Sequence, residues 1–152
     1  MPRHDAPSAG ITALLIAAGL STALVVTGCG AAAPAASPMT VRLLVRDINL
    51  RPAGVECAGT GPYVHVHRSA SYQLVDGEGA VLHRGQLPAG TAVPAFEEDL
   101  EVERIPTYCA FAIPVEVPER GSYRLVIDDR PPIELTADRR NVEGPALVAV
   151  VP

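Results

Sequence analysis

His65 and His67 lie one residue apart, and their spacing is the first in this sequence that could serve chemistry. If they belong to a strand, both imidazoles share one face, and imidazole is a common ligand of copper and zinc. His83 is a third candidate. A hairpin turn at Asp76–Gly79 would place His83 opposite Tyr72, on the other face from His67. We therefore expect surface histidines here in preference to a metal site.

An acidic run is the second candidate. Its carboxylates, which suit Ca²⁺, belong to Glu97, Glu98, Asp99, Glu101 and Glu103. The run lacks the alternating Asp/Asn and Gly spacing of a dedicated calcium loop. We therefore predict a solvated loop, or a charged edge strand that prevents aggregation through the sheet edge. Metal handling through His65, His67 and the acidic run 97–103 stays as the alternative function.

Catalytic patterns are absent from the sequence. Ser69, Ser71 and Ser122 do not occur in the G-x-S-x-G context of a nucleophile elbow. The Gly-rich stretch "CAGTGPY", which begins at Cys57, follows no strand–helix unit that could hold a phosphate. We predict that the protein is not an enzyme and that it has no cofactor.

The chain has three cysteines, and the first, Cys29, follows an uncharged apolar run from Ile11 to Val26. This run is shorter than the about 20 residues that span a bilayer as a helix. Near an N-terminus, its length fits the apolar region of a signal peptide. The alternative is a buried core helix.

The stretch Val26-Thr27-Gly28-Cys29 resembles the lipobox of bacterial lipoproteins. The resemblance implies a signal peptide over 1–28, cleavage before Cys29, and acylation of the Cys29 thiol with chains such as palmitate. The lipid bilayer is then a partner, and the protein is extracytoplasmic and lipid-anchored to the cell membrane. Residues 29–39, which are rich in Ala, Pro and Ser, are predicted to form a flexible tether. The alternative is ordinary secretory cleavage near 31–33.

With Cys29 acylated, Cys57 and Cys109 remain, and an even pair in an exported domain indicates a disulfide. Closing a loop of this length would stabilise the fold by roughly 4 kcal/mol. The alternative is a pair of reactive or metal-binding thiols, although the sequence has no C-x-x-C motif.

The composition excludes one class of partner. The formal net charge is −5, and all 12 basic residues are arginines. An acidic chain without a basic face is a poor nucleic-acid binder, because the phosphates must be neutralised. Arginine without lysine, together with abundant Ala, Pro, Gly and Val, indicates a GC-rich genome such as that of an actinobacterium.

From residue 40 to residue 152 the apolar residues recur with a period of two, which is typical of strands. Val41, Leu43 and Val45 alternate with polar residues, and the stretch "YCAFAIPVEV" from Tyr108 alternates in the same way. We predict an all-β domain, an antiparallel β-sandwich of six to eight short strands. A helix is conceivable only over 95–105.

Three local patterns resemble known families. "YQLVDGEGAVLHRGQL" is similar to the strand–turn–strand of transthyretin-like and carboxypeptidase-regulatory-like domains, and "VPERGSYRLVIDD" to a strand of immunoglobulin-like sandwiches. Over most of its length, the domain also resembles small actinobacterial lipoproteins of unassigned function. The matching residues are Cys57, Gly59, Gly61, Tyr63, Cys109, Phe111, Val117 and Pro118. These resemblances imply fold and location, and no activity.

We therefore predict a binding or interaction module of the cell envelope, whose partner is an envelope protein or a glycan. The loops 58–62 and 87–91 are its predicted contact surface, because loops on a rigid scaffold commonly carry function.

Overall fold

The computed structural model describes residues 35–96, 98–99, 101–139 and 146–151. The predicted signal peptide, the lipobox at Val26–Cys29 and the tether up to residue 34 lie outside the described residues. Within them are ten strands and one short 3-10 helix, Gly61–Tyr63. The predicted all-β sandwich is confirmed. No helix in this part of the chain is long and apolar enough to cross a membrane.

The strands form two packed sheets. They are β1 (Ala36–Arg51), β2 (Glu56–Cys57), β3 (Ser71–Asp76), β4 (Val81–Gln86), β5 (Gly90–Pro94), β6 (Ile105–Pro118), β7 (Tyr123–Ile127), β8 (Ile133–Glu134), β9 (Thr136–Ala137) and β10 (Ala146–Val150). One sheet has the order β2-β5-β6-β1-β10-β9, and the other has the order β4-β3-β7-β8. All pairs are antiparallel except β1 with β10, which run parallel from Thr40 opposite Ala146 to Leu44 opposite Val150.

The apolar residues that alternate along the predicted strands are the residues that form the core. Val41, Leu43 and Val45 of β1 are at most 1 % exposed. Five residues of β6 and three of β7 face the same core: Cys109, Phe111, Ile113, Val115, Val117, Tyr123, Leu125 and Ile127. Because side chains on a strand alternate between its faces, burying one sheet face produces this pattern.

Two strand boundaries differ from the expectation. β1 begins at Ala36, which lies opposite Pro118 of β6, so the strand includes four residues assigned to the tether. The strand considered for His65 and His67 does not form, because β3 begins only at Ser71. Turn hydrogen bonds, such as the one that the Ala70 N–H donates to the His67 carbonyl, fold the preceding residues locally.

The β3–β4 hairpin turns at Asp76–Gly79, as predicted. Its Asp76 Oδ1 accepts hydrogen bonds from the main-chain N–H groups of Glu78 and Ala80. The predicted register is wrong: a bulge after Leu74 places His83 opposite Leu74, not opposite Tyr72. The His83 ring still stacks on Tyr72, with a centroid distance of 5.9 Å.

Cys57 and Cys109 form a disulfide, as predicted, with Cα atoms 5.8 Å apart. Strand β5 lies between the two strands that carry them, and the bridge passes over Gly90 of β5. A Cβ at Gly90 would lie 2.5 Å from Cys109 Sγ and 2.8 Å from the Cys57 carbonyl oxygen. Only a residue without a side chain leaves room for the bridge.

Gly90→Ala is therefore expected to lower the free energy of unfolding by about 1–3 kcal/mol, because the buried disulfide and Phe111 cannot move aside cheaply. Urea unfolding followed by circular dichroism measures the change. Gly121→Ala is the matched control, since nothing lies within 4 Å of its added methyl. Equal stability of the two variants would show that the packing over Gly90 is not tight.

Candidate binding site between the sheets

The structure separates the residues that were considered as metal ligands for the alternative function. His65 and His67 lie in turns after the 3-10 helix, so their expected place on one strand face is wrong. His83 lies on β4. Of the acidic run, Glu98, Asp99, Glu101 and Glu103 are exposed and lie in no strand or helix, and Glu97 lies outside the described residues. Among the described residues, no group of three or more His, Cys, Asp or Glu side chains could hold a metal ion.

The candidate serines have structural roles. The Ser71 hydroxyl donates to Asp128 Oδ1 at 2.8 Å, so it is bound to a carboxylate and not to an imidazole. Ser122 lies beside Gly77, where an added Cβ would come within 2.3 Å of the Ser122 hydroxyl oxygen. Ser69 is exposed, with a positive φ of 69°. A serine nucleophile is usually activated by an imidazole or an amine within hydrogen-bond reach, whereas the partner of the Ser71 hydroxyl is the Asp128 carboxylate.

Asp128 organises the turn that follows β7. Both Asp128 and Asp129 have positive φ angles, 44° and 55°, and the Arg130 N–H donates to the Ile127 carbonyl at 2.9 Å. Positive φ at both central residues is the signature of a type I′ turn, which Asp tolerates. The hydrogen bond from the Ser71 hydroxyl lowers the Asp128 pKa most, and the Ser71 N–H and the nearby His67 and His65 lower it further.

A cleft opens beside this turn, and we call it the inter-sheet cleft. Its volume is about 490 Å³, within the usual range of small-molecule sites. It is lined by Pro62, Tyr63, His65, Ile127, Arg130, Pro131, Pro132, Ile133, Glu134, Val150 and Val151. One wall comes from β7 and β8, and the facing wall comes from the end of β10. The cleft is therefore lined by residues of both sheets.

The walls of the inter-sheet cleft are mainly apolar, with few polar groups. His65 Nδ1 is buried and has no hydrogen-bond partner among the described residues. Arg130 and Glu134 stand exposed at the mouth, and Glu134 lies 3.9 Å from Arg124. An apolar interior with a few polar atoms at its edge is the usual form of a small-ligand site.

Sequence reasoning found part of this site. Pro62, from the predicted contact loop 58–62, lines the cleft. In the other predicted loop, 87–91, Leu87 is only 2 % exposed and Gly90 lies under the disulfide, so much of it belongs to the core. The remaining lining residues were missed because they come from separate segments. The one local signal was Pro131-Pro132 after a turn.

Comparisons with protein-family models, curated proteins and solved structures give no match for this chain. No activity, substrate or partner therefore comes to it from a relative. Its function has to be inferred from the chemistry of its own cleft and surfaces.

Asp128→Asn is expected to destabilise the protein at neutral pH and to have little effect in acid. The folded pKa of Asp128 is lowered, so its contribution is present above the unfolded value near 3.9 and is lost as the pH falls through the folded value. Urea unfolding of parent and variant between about pH 7 and about pH 2.5 measures the difference.

Asp129→Asn is the control, because Asp129 shares the turn and the positive φ but is not recorded as accepting a hydrogen bond from the described residues. Asn tolerates this backbone conformation as well as Asp does. A pH-independent effect of Asp128→Asn would contradict the assigned role of its charge.

Proposed function

We propose that this protein is a lipid-anchored binding module of the cell envelope, which holds a mainly apolar ligand in the inter-sheet cleft. The observation that carries the proposal is the cleft itself. Its walls combine prolines, Ile127, Ile133 and Val150 with only a few polar side chains. A glycan would leave many of its hydroxyl groups unpaired on such walls, whereas an envelope lipid or a similar apolar molecule would not.

The extracytoplasmic location has two kinds of support. The Cys57–Cys109 disulfide is compatible with an oxidising compartment, since such bridges are rare in the cytosol. The lipobox at Val26–Cys29 and the apolar run before it support export and acylation from the sequence. Two or three acyl chains on Cys29 would anchor the domain firmly, because each buried methylene contributes about 0.8 kcal/mol.

The first described residues of β1 lie far along the strand from the inter-sheet cleft. The described strand begins at Ala36, seven residues after Cys29, and runs parallel to β10. Leu44 of β1 lies opposite Val150, which lines the cleft. At about 3.3 Å per residue, the cleft is about 25 Å along the strand from Ala36. The start of β1 and the cleft are therefore well separated within the described domain.

The alternative, metal handling through His65, His67 and the run 97–103, has less support. The described members of that set do not gather into a group of three ligands. His67 Nδ1 lies 2.7 Å from the Arg68 carbonyl oxygen, a local contact that occupies one of its two nitrogens. Calorimetric titration with copper or zinc distinguishes the two functions, since only the alternative predicts heat from metal binding.

The anchor is tested by the intact mass of the protein extracted from its native membrane. We expect a mass of residues 29–152 plus acyl chains, because the lipobox places both cleavage and acylation at Cys29. Cys29→Ser is the control, and its mass should carry no acyl chains. An unacylated parent protein would contradict the anchor and leave the cleft proposal standing.

The cleft is tested by substitution of an exposed lining residue. The protein, reconstituted in lipid nanodiscs, is incubated with a small-molecule extract of cell envelopes, washed, and analysed for bound molecules by mass spectrometry. Val150→Glu is expected to retain at least about tenfold less of the bound compound, because a carboxylate in an apolar cleft must be desolvated.

Val81→Glu is the matched control. Val81 is 42 % exposed and Val150 is 50 % exposed, but Val81 lies on β4, outside the cleft. We expect this variant to retain as much compound as the parent. Equal retention by Val150→Glu, or none by the parent, would contradict the proposed function.

A further inference from the structure

A second surface lies at the end of β1, and we call it the acid-rimmed patch. Three large apolar side chains stand in solvent there: Ile48 is 63 % exposed, Leu50 57 % and Phe96 53 %. They surround a cavity of about 370 Å³. Exposed apolar residues that gather around one cavity commonly mark an interaction site, whereas scattered ones do not.

The end of β1 is built to hold this patch. The register between β1 and β6 shifts between Arg46 and Leu50, and bulges of this kind redirect side chains. The buried Asp47 carboxylate fixes the bulge, because it accepts hydrogen bonds from the Asn49 main-chain and side-chain N–H groups and forms an ion pair with Arg51. Ile48 and Leu50 are therefore presented by an ordered segment.

Apolar side chains dominate the accessible edge of this cavity. Ile48, Leu50 and Phe96 are each more than half exposed there. Thr107 also lines the cavity, but its hydroxyl oxygen has almost no accessible surface, so it is not offered to a ligand. An aromatic side chain such as Phe, Tyr or Trp matches such a cavity.

Charge decides which ligand class fits. The segment from Phe96 to Pro106 begins and ends at the cavity, and the Ala95 N–H closes it by donating to the Pro106 carbonyl at 3.0 Å. Its exposed carboxylates are those of Glu98, Asp99, Glu101 and Glu103. No ion pair is recorded for them within the described residues. The exposed Arg46 and Arg104 offset only part of this charge.

We infer that the acid-rimmed patch binds a polypeptide segment in which an aromatic anchor is flanked by Lys or Arg. The cavity and its apolar rim take the anchor, and the acidic segment attracts the flanking cations. An anionic membrane surface would be repelled by the same carboxylates. A second copy of this chain, with its net charge of −5, would be repelled as well. This inference does not depend on the inter-sheet cleft.

The test is a selection of random peptides displayed on phage against the purified full chain. We expect the enriched peptides to carry an aromatic residue with basic neighbours. Phe96→Ser is expected to weaken their binding at least about tenfold, as for other central aromatic contacts. The triple variant Glu98→Gln/Asp99→Asn/Glu103→Gln should weaken binding several-fold and reduce its dependence on salt.

Three controls keep the inference separate from general effects. Val81→Ser removes an exposed apolar residue elsewhere, and Glu78→Gln/Glu116→Gln/Glu119→Gln removes three exposed charges elsewhere. Arg130→Ala alters the inter-sheet cleft, whose lining shares no residue with the cavity of the patch. All three should bind the selected peptides as tightly as the parent does.

Several outcomes would overturn the inference. These are the absence of enrichment, enriched peptides without basic residues, and unchanged binding by Phe96→Ser. Two further measurements identify a different occupant. Stronger binding to phosphatidylglycerol vesicles than to the peptides would make the patch a membrane contact. Self-association in analytical ultracentrifugation that Phe96→Ser abolishes would make it an interface between copies.

Discussion

The disulfide over Gly90 is the constraint on which both candidate surfaces depend. β2 consists of only Glu56 and Cys57, and two residues of ladder cannot hold a strand in place by themselves. The bond to Cys109 fixes this strand to the centre of the larger sheet. From Cys57 the chain runs directly into the 58–62 loop and the 3-10 helix, which contribute Pro62 and Tyr63 to the cleft. Reduction would free the segment that shapes the binding surfaces.

Aspartate side chains hold several turns and bends of this sandwich in a defined conformation. The carboxylates concerned are those of Asp47, Asp76, Asp99 and Asp128, and each accepts a hydrogen bond from a main-chain N–H group. In three of the four cases the donor lies two residues ahead, which is the local geometry of an Asx turn. Hydrogen bonds to charged oxygens are stronger than those to neutral ones. For Asp76 and Asp128 these bonds lower the pKa of the carboxyl, so they stabilise the turns at neutral pH and lose that contribution in acid.

The sequence allowed the sheets to be predicted where one strand face is buried and the other is not. Val41, Leu43 and Val45 are buried at alternate positions, so their period could be read directly. The prediction for His65 and His67 was wrong because their spacing is the same as that of two residues on one strand face. In the structure, Gly61, with a positive φ of 57°, begins a 3-10 helix just before them. Alternation of residue types cannot distinguish a strand from a turn that buries one residue.

The inter-sheet cleft could not be predicted, because no short stretch of sequence contains it. Ile127, Ile133 and Val150 belong to three strands, whose distance depends on how the two sheets pack. Only one part of the acid-rimmed patch could be predicted from the sequence. The acidic run was interpreted as a solvated loop, but the exposed apolar side chains beside it were not predicted. A bulge at Asp47 turns Ile48 and Leu50 outward, and a register shift is a tertiary event that apolar periodicity does not encode.

The two surfaces share one short segment of chain. The Thr60 hydroxyl oxygen accepts a hydrogen bond from the Ile48 N–H at 3.4 Å and lies 3.5 Å from Asp47 Oδ1. A Cβ built at Gly61 would lie 3.5 Å from the Ile48 Cδ1 atom, and Pro62, the next residue, lines the inter-sheet cleft. The loop from Cys57 to Pro62 therefore contacts Ile48 of the patch and supplies Pro62 to one wall of the cleft, so the disulfide that holds this loop supports both surfaces.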